Sequence, residues 1–191
     1  MSKKNVVVFD FDGTLTSHDT FIAFSCHAFG KVRFAFALLQ AFPWLLLWKT
    51  GVLKGGDAKR RLYSILYKGK KKVDILNKSK TFNPKYRKDI QDILARHKKE
   101  GATVYIITAS LDLWMEEIRR QLGVNVICTH TSTDSDGILD GKFSTPNCHG
   151  EEKIRRLKES ETEPFFLTVY GDEPEGGDAS LFKMADVCHQ V

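Results

Sequence analysis

Two acidic residues stand at the end of the first apolar stretch of the chain. Val6–Phe9 runs directly into Asp10 and Asp12, and Gly13 follows them. A carboxylate at such a position can attack phosphorus, while a second one protonates the leaving oxygen and then activates water. The glycine lets the backbone come close to a phosphoryl group. Because two such close negative charges need a cation, the pattern also predicts Mg²⁺.

The rest of the chain predicts an alternation of strands and helices around this pair. Asn5–Phe11 is a continuous apolar strand of the kind that is buried on both faces of a sheet. The further predicted strands are Thr103–Ile107, Asn125–Cys128, Phe165–Tyr170 and Val187–Val191, and the helices are Lys85–Glu100, Leu111–Leu122, Glu151–Glu159 and Ala179–Ala185. Residues 129–145 contain two Asp-Gly turns and predict a β-ribbon. The fold class is therefore α/β, a Rossmann-like doubly wound parallel sheet with its active site at the carboxyl ends of the strands.

A block without strands interrupts this alternation after the first strand. Its predicted helices are Thr20–Phe29, Arg33–Trp48, Asp57–Tyr67 and Val73–Lys80. We therefore predict a core formed by residues 1–16 and 81–191, and an inserted α-helical cap formed by residues 17–80. The insertion follows a strand's carboxyl end, which places it beside the predicted active site.

One segment of the insertion, Phe34–Trp48, is apolar on all sides. Apart from the indole N–H groups, Gln40 is its single polar side chain, and Lys and Arg residues flank it. A bilayer span needs about 20 apolar residues, and this run is shorter and contains Pro43. The pattern favours a helix packed inside the helical block or one lying at a membrane surface, and both alternatives stay open.

Composition limits the class of protein. The chain has 191 residues, 42% of them hydrophobic, which suffices for one core, and its net charge of +5 lies mostly in short blocks typical of solvated helix ends. We therefore expect no nucleic-acid partner. The N-terminal residues contain no signal-peptide apolar region, and the cysteines form no C-x-x-C pair, which predicts reduced thiols in a cytoplasmic protein. These cysteines are Cys26, Cys128, Cys148 and Cys188.

The stretch Asp10-Phe-Asp12-Gly13-Thr resembles the first motif, DxDGT, of the haloacid dehalogenase superfamily of phosphohydrolases. The later motifs of that family have counterparts in the same order along the whole chain. The resemblance implies that Asp10 is the nucleophile and Asp12 the acid and base. It also implies that Thr108, at the end of the next strand, hydrogen-bonds a phosphoryl oxygen in a phosphate site shared with Gly13 and Ala109.

The family's third and fourth motifs have counterparts further along the chain. The resemblance implies that Lys153 neutralises Asp10 and the transferring phosphoryl group. It implies Mg²⁺ held by Asp10, the backbone carbonyl of Asp12 and Asp172, with a further acid behind them. That acid usually follows four residues after the first, whereas Asp178 follows six residues after Asp172. Glu173 and Glu175 therefore stay open as substitutes for Asp178.

The helical insertion is similar to the C1 cap of the phosphoserine-phosphatase-like branch, subfamily IB. This likeness implies a Mg²⁺-dependent phosphatase that hydrolyses a phosphate monoester through an aspartyl-phosphate, on a small phosphorylated metabolite such as a phospho-amino acid. Some likeness to C-type phosphatidylglycerophosphatases leaves a lipid phosphate at the membrane surface as an alternative. The irregular fourth motif leaves a weakly active or non-catalytic phosphate-binding protein as another. Asp19 and Thr20 are candidate substrate contacts, with a plain helix cap as the alternative, and a monomer and a homodimer both remain open.

Overall fold

The computed structural model describes residues 3–51 and 55–191, apart from the side chains at positions 45 and 48. The strands are β1 (Lys4–Phe9), β2 (Thr103–Leu111), β3 (Asn125–Thr129), β4 (Thr131–Thr133), β5 (Leu139–Phe143), β6 (Phe165–Gly171) and β7 (Val187–Gln190). The helices are α1 (Thr20–Phe29), α2 (Lys31–Lys49), α3 (Gly55–Tyr67), α4 (Lys72–Ser79), α5 (Lys88–Lys99), α6 (Asp112–Leu122), α7 (Glu151–Ser160) and α8 (Ala179–Met184).

Five of the strands form one parallel sheet in the order β3-β2-β1-β6-β7. The strand β1 lies at its centre, so Phe9 pairs with Ile106 of β2 on one side and Tyr170 of β6 on the other. Side chains alternate along a strand, and accordingly Val7 belongs to one buried cluster and Val8 to the other. The predicted α/β fold with a parallel sheet is confirmed.

Helices cover both faces of this sheet. Buried residues of α1–α6 share a cluster with Val7 and Phe9, while those of α7 and α8 share a cluster with Val8. The helices α1–α4, residues 20–79, lie between β1 and β2 in the chain and form the predicted helical insertion. Its limits as a separate cap, 17 and 80, stay a prediction, and residues 1, 2 and 52–54 of the proposed division lie outside the described residues.

Two strand ends differ from the predicted ones near the acidic pair. The strand β1 ends at Phe9, so Asp10 already lies in the following loop. The strand β2 continues four residues past Ile107, because Leu111 pairs with Thr129 of β3 after an irregularity in register. The predicted site residues of β2 therefore belong to the strand itself, and the helix α6 begins only at Asp112.

The start of α5 also differs from the prediction. The helix begins at Lys88 and not at Lys85. The backbone just before it is extended and pairs with the loop after β1: the N–H of Arg87 donates to the carbonyl of Leu15 (2.9 Å), and that of Ser17 to the carbonyl of Lys85 (3.1 Å). These tertiary hydrogen bonds replace a first helical turn, which a helix-start signal in the sequence cannot reveal.

The predicted ribbon is present as the antiparallel pair β4–β5. Its turn is the first Asp-Gly pair, where the side chain of Asp134 accepts the N–H groups of residues 136 and 138. The second pair was wrongly predicted as a turn, because Gly141 lies inside β5 with a φ of +82°. A Cβ at Gly141 would lie 2.6 Å from the Oγ of Ser64 on α3. The ribbon therefore packs closely against the helical insertion.

Candidate active site

Asp10 is the first residue after β1 and is 7% exposed. Its N–H donates to the carbonyl of Tyr170 (2.9 Å), which fixes the backbone at the carboxyl end of the sheet. The Nζ of Lys153, in the first turn of α7, donates to the Oδ1 of Asp10 and to the Oδ1 of Asp178, at 2.6 Å each. The structure thus brings together a nucleophile candidate from the loop after β1, a cation from the first turn of α7 and a second acid from the loop before α8.

The charges of this buried cluster act on one another. Burial raises the pKa of Asp10 to about 7, with the Lys153 ammonium opposing that rise and the Asp178 carboxylate adding to it. Burial lowers the pKa of Lys153, but Asp10 and Asp178 outweigh it and leave that pKa above its usual value. With both acids ionised, one ammonium faces two carboxylates, and the excess negative charge favours a bound cation.

A third carboxylate completes an acidic cluster next to Lys153. Oxygen atoms of Asp10, Asp172 and Asp178 all lie within 4.8 Å of one another. Asp172 accepts a hydrogen bond from the hydroxyl of Thr14 (3.3 Å), and burial raises its pKa. A Cβ at Gly13, where φ is +88°, would lie 2.1 Å from the Oδ2 of Asp172, so only glycine fits there. Three carboxylates in this arrangement fit a hard divalent cation such as Mg²⁺.

The loop from Asp172 to Asp178 accommodates the irregular spacing of the fourth motif. The carbonyl of Glu173 accepts the N–H groups of Gly176 (3.0 Å) and Asp178 (3.2 Å), while its carboxylate accepts the N–H of Gly177 (3.0 Å). The carboxylate of Glu173 is thus engaged within the loop, and Glu175 is exposed. Asp178 is the acid that this folded loop returns to the cluster.

The side chain of Asp12 is oriented by two hydroxyl groups. Its Oδ1 accepts the N–H (2.7 Å) and hydroxyl (2.5 Å) of Thr20, and its Oδ2 accepts the hydroxyl of Ser110 (2.6 Å). The indole N–H of Trp114 in turn donates to the Thr20 hydroxyl (3.2 Å). From the sequence, Thr20 was expected only as a candidate substrate contact, and no role was expected for Ser110 or Trp114. The position of Ser110 two residues after Thr108 offered a signal for that residue.

Three further predicted site residues, Thr108, Ala109 and Asp19, each form a hydrogen bond with another part of the chain. Thr108 is 1% exposed, and its Oγ1 accepts the N–H of Ser110 (3.0 Å). The carbonyl of Ala109 accepts the ammonium of Lys59 from α3 (3.1 Å), a contact from the helical insertion that the sequence did not indicate. The exposed Asp19 accepts the N–H of Ile22 (3.1 Å) and caps α1, so its side chain is directed to its own helix.

Comparison with known proteins shows the family to which the chain belongs. The family model of haloacid dehalogenase-like hydrolases matches residues 7–182. Protein CicA of Caulobacter vibrioides is 32% identical over 192 residues, which cover 95% of this chain and 83% of that protein.

Among solved structures, a protein of unknown function from Bordetella pertussis Tohama I has a TM-score of 0.72 at 18% identity, over 90% of this chain and 83% of the other. A phospho-aspartyl intermediate analogue of phosphoserine phosphatase has a TM-score of 0.63 at 22% identity, over 98% and 86%. These structural likenesses concern the fold. The family match over most of the length of the chain confirms the predicted resemblance: the chain belongs to the family of haloacid dehalogenase-like hydrolases.

Proposed function

We propose that this protein is a Mg²⁺-dependent phosphatase that hydrolyses a phosphate monoester through an aspartyl-phosphate on Asp10. The observation that carries the proposal is the buried Asp10 carboxylate, held by the Lys153 ammonium at 2.6 Å beside two further carboxylates. A neighbouring cation stabilises both the ionised nucleophile and the charge on a phosphoryl group.

The first half-reaction transfers the phosphoryl group to the protein. A carboxylate oxygen of Asp10 forms a bond to phosphorus while the bond between phosphorus and the ester oxygen breaks. Asp12, in its protonated form, donates its proton to the leaving alkoxide, which departs as the alcohol. The hydrogen bonds from Thr20 and Ser110 to Asp12 fix the direction of that carboxyl group. The Lys153 ammonium balances the charge of the phosphoryl oxygens.

The second half-reaction returns the protein to its starting state. Asp12, now a carboxylate, removes a proton from a water molecule, and the water oxygen forms a bond to phosphorus. The bond between phosphorus and the Asp10 oxygen breaks, which releases inorganic phosphate and the Asp10 carboxylate. Asp12 thereby recovers from water the proton that it gave to the alcohol.

The metal would be held by Asp10, the backbone carbonyl of Asp12 and Asp172, with Asp178 supporting these ligands. When bound, Mg²⁺ supplies positive charge that offsets the negative charge of the carboxylates and the phosphoryl group. Asp178 helps to keep Lys153 in place, because it accepts a second hydrogen bond from the same ammonium. Gly13 leaves room for Asp172 at the cluster.

Hydrolysis of an aryl phosphate tests the chemistry. We expect turnover with Mg²⁺, none with excess EDTA, and a loss of about 10³-fold or more in Asp10→Asn. The matched control is Asp19→Asn, which changes an exposed acid at the start of α1 and should retain activity. Metal-independent turnover, or full activity in Asp10→Asn, would contradict the proposal. Binding of Mg²⁺ and phosphate without Asp10-dependent turnover would favour a non-catalytic phosphate-binding protein. That alternative was based on the irregular spacing of the fourth motif, and the position of Asp178 in the cluster weakens it.

The substrate class has two candidates. A small phosphorylated metabolite, such as a phospho-amino acid, is the first. A lipid phosphate is the second, and the observation that favours it is the row of exposed apolar side chains on α2. Turnover of a soluble short-chain phosphate ester should be compared with that of the same headgroup on a long-chain lipid in vesicles. Preference for the long-chain ester would support the lipid candidate, and equal or lower turnover would support the soluble one.

A further inference from the structure

The helix α2 exposes most of its apolar side chains. The outward-facing members, each between 42% and 72% exposed, are Val32, Phe36, Leu39, Phe42, Leu46 and Leu47. The spacing of Val32, Phe36, Leu39 and Leu46 places them along one side of the helix. We refer to all six exposed residues, Val32, Phe36, Leu39, Phe42, Leu46 and Leu47, as the outer face of α2. Exposed apolar patches of this kind mark interaction sites in proteins.

The fold covers only a narrow opposite side of the same helix. Phe34, Ala37 and Ala41 are 6%, 4% and 0% exposed and belong to the buried cluster that the insertion shares with one face of the sheet. A helix that is apolar on all sides normally has a partner on all sides. Within the described residues, the domain supplies that partner to one side of α2 only.

The stretch of sequence that contains α2 carries charge of one sign. Residues 20–56 contain Lys31, Arg33, Lys49 and Lys54 and no Asp or Glu. Lys31 and Lys49 are the first and last residues of α2, and both are exposed. Basic residues at the ends of an apolar helical face are complementary to anionic lipid headgroups.

A basic cavity lies beside the same helix. It has a volume of about 920 Å³, and its lining includes Trp44, Arg60, Arg61 and Lys142, together with Asp57, which pairs with Arg60 at 3.0 Å. The guanidinium of Arg61 lies 4.2 Å from the centre of the Trp44 ring. The guanidinium and the ring form a cation–π contact, and tryptophan is enriched at the level of lipid headgroups.

We propose that the outer face of α2 docks on the surface of a bilayer that contains anionic phospholipids. The apolar side chains would enter the boundary between headgroups and acyl chains, with the helix parallel to the surface. Among the described residues there is no helix long and apolar enough to cross a membrane. This inference is independent of the phosphatase chemistry.

Charge also decides between a bilayer and a second copy of the chain. Two copies joined symmetrically through the outer face would bring their Lys and Arg residues together, with no acidic residue from 20–56 to balance them. Like charges facing each other across an interface oppose association. Anionic headgroups have the complementary sign.

Vesicle flotation tests the proposal on the full chain. We expect binding to vesicles of phosphatidylglycerol and phosphatidylcholine, weaker binding at high salt and little binding to phosphatidylcholine alone. The triple variant Phe36→Gln, Leu39→Gln, Leu46→Gln should bind about tenfold or more weakly, because it removes apolar area from the face. Val73→Gln on α4 is the matched control, since Val73 is 58% exposed outside the face, and it should float like the wild type.

Two results would overturn the proposal. One is a wild type that does not float with anionic vesicles, and the other is a folded triple variant that floats as well as the wild type. Sedimentation velocity identifies the competing occupant: a dimer that the triple variant abolishes, without flotation, would assign the face to a second copy. If the triple variant unfolds, Leu39→Gln alone should still weaken flotation several-fold. Asp10→Asn should float like the wild type, so the result is readable whatever the phosphatase assay shows.

Discussion

The acidic cluster and the outer face of α2 depart from ordinary burial in opposite ways. At the cluster, Asp10, Lys153 and Asp178 are charged residues that are each less than 10% exposed. On α2, Phe36 and Leu39 are apolar residues that are more than 60% exposed. Buried charges are rare unless paired, and large exposed apolar patches are rare in monomeric proteins.

The two regions differ in where their partners come from. The fold itself supplies one counter-charge to the cluster, since the ammonium of Lys153 pairs with two carboxylates from different loops. The outer face of α2 lacks a covering element among the described residues. The acidic cluster is held together by ion pairs within the fold and can bind a ligand that enters it. The outer face of α2 requires a partner from outside the fold. Substitutions should therefore affect folding stability in the first region and association in the second.

The largest effect should follow from Lys153→Met. This change leaves Asp10 and Asp178 buried without their common cation, and removal of one partner of a buried pair costs about 3–5 kcal/mol. Chemical denaturation at pH 8 without metal would measure the loss in the free energy of unfolding. The matched control is Arg155→Met on the same helix, where an exposed guanidinium pairs with Glu152 and Glu159, and its effect should be much smaller. Equal effects of the two changes would contradict the view that the cluster depends on an internal charge balance.

The next effect separates the two sides of α2. Phe34 is 6% exposed and Phe36 is 62% exposed on the same helix. Phe34→Ala should lower the free energy of unfolding by about 2–4 kcal/mol, while Phe36→Ala should change it by less than about 0.5 kcal/mol. Thermal unfolding of both variants without lipid checks the difference. A large loss in Phe36→Ala would show that the outer face is covered in the folded protein.

A smaller effect should appear in the dependence of stability on pH. Because burial raises the pKa of Asp10 to about 7, the folded protein holds a proton that the unfolded chain releases near pH 4. The stability that this proton contributes is present below about pH 4 and is lost as pH rises to 7, by at most about 1.4 kcal/mol per pH unit. Denaturation in EDTA at pH 5 and 7.5 should show a smaller decline in Asp10→Asn than in the wild type. Identical declines would be inconsistent with a raised pKa at Asp10.

The smallest effect concerns the loop that carries Asp178. Glu173→Ala removes the acceptor for the Gly177 N–H, and we expect a several-fold higher Mg²⁺ concentration for half-maximal thermal stabilisation, with little change in the metal-free melting temperature. Glu173→Gln retains an acceptor oxygen and should restore the wild-type value. Glu175→Ala, in the exposed part of the same loop, is the control. If Glu173→Ala and Glu175→Ala behave alike, Glu173 has no role in positioning Asp178.

The sequence by itself determined the succession of strands and helices along the chain and the pair Asp10 and Asp12 after the first strand. The periodicity of apolar residues and the positions of glycines are local properties of the sequence. They predict the alternation of strands and helices, and that alternation predicts the parallel sheet. The family resemblance supplied Lys153, Asp172 and Asp178 as expectations. Their meeting at one edge follows from parallel strands, whose carboxyl ends lie together.

Only the tertiary structure decided which acid joins the cluster and which side of α2 is covered. Six residues separate Asp172 from Asp178, and the return of Asp178 depends on hydrogen bonds within the loop that spacing does not reveal. The roles of Thr20 and Ser110 at Asp12 likewise come from residues far apart in the chain. An apolar run such as Phe34–Trp48 is equally suited to a core or an interface, because burial is a property of neighbouring elements and not of the run itself.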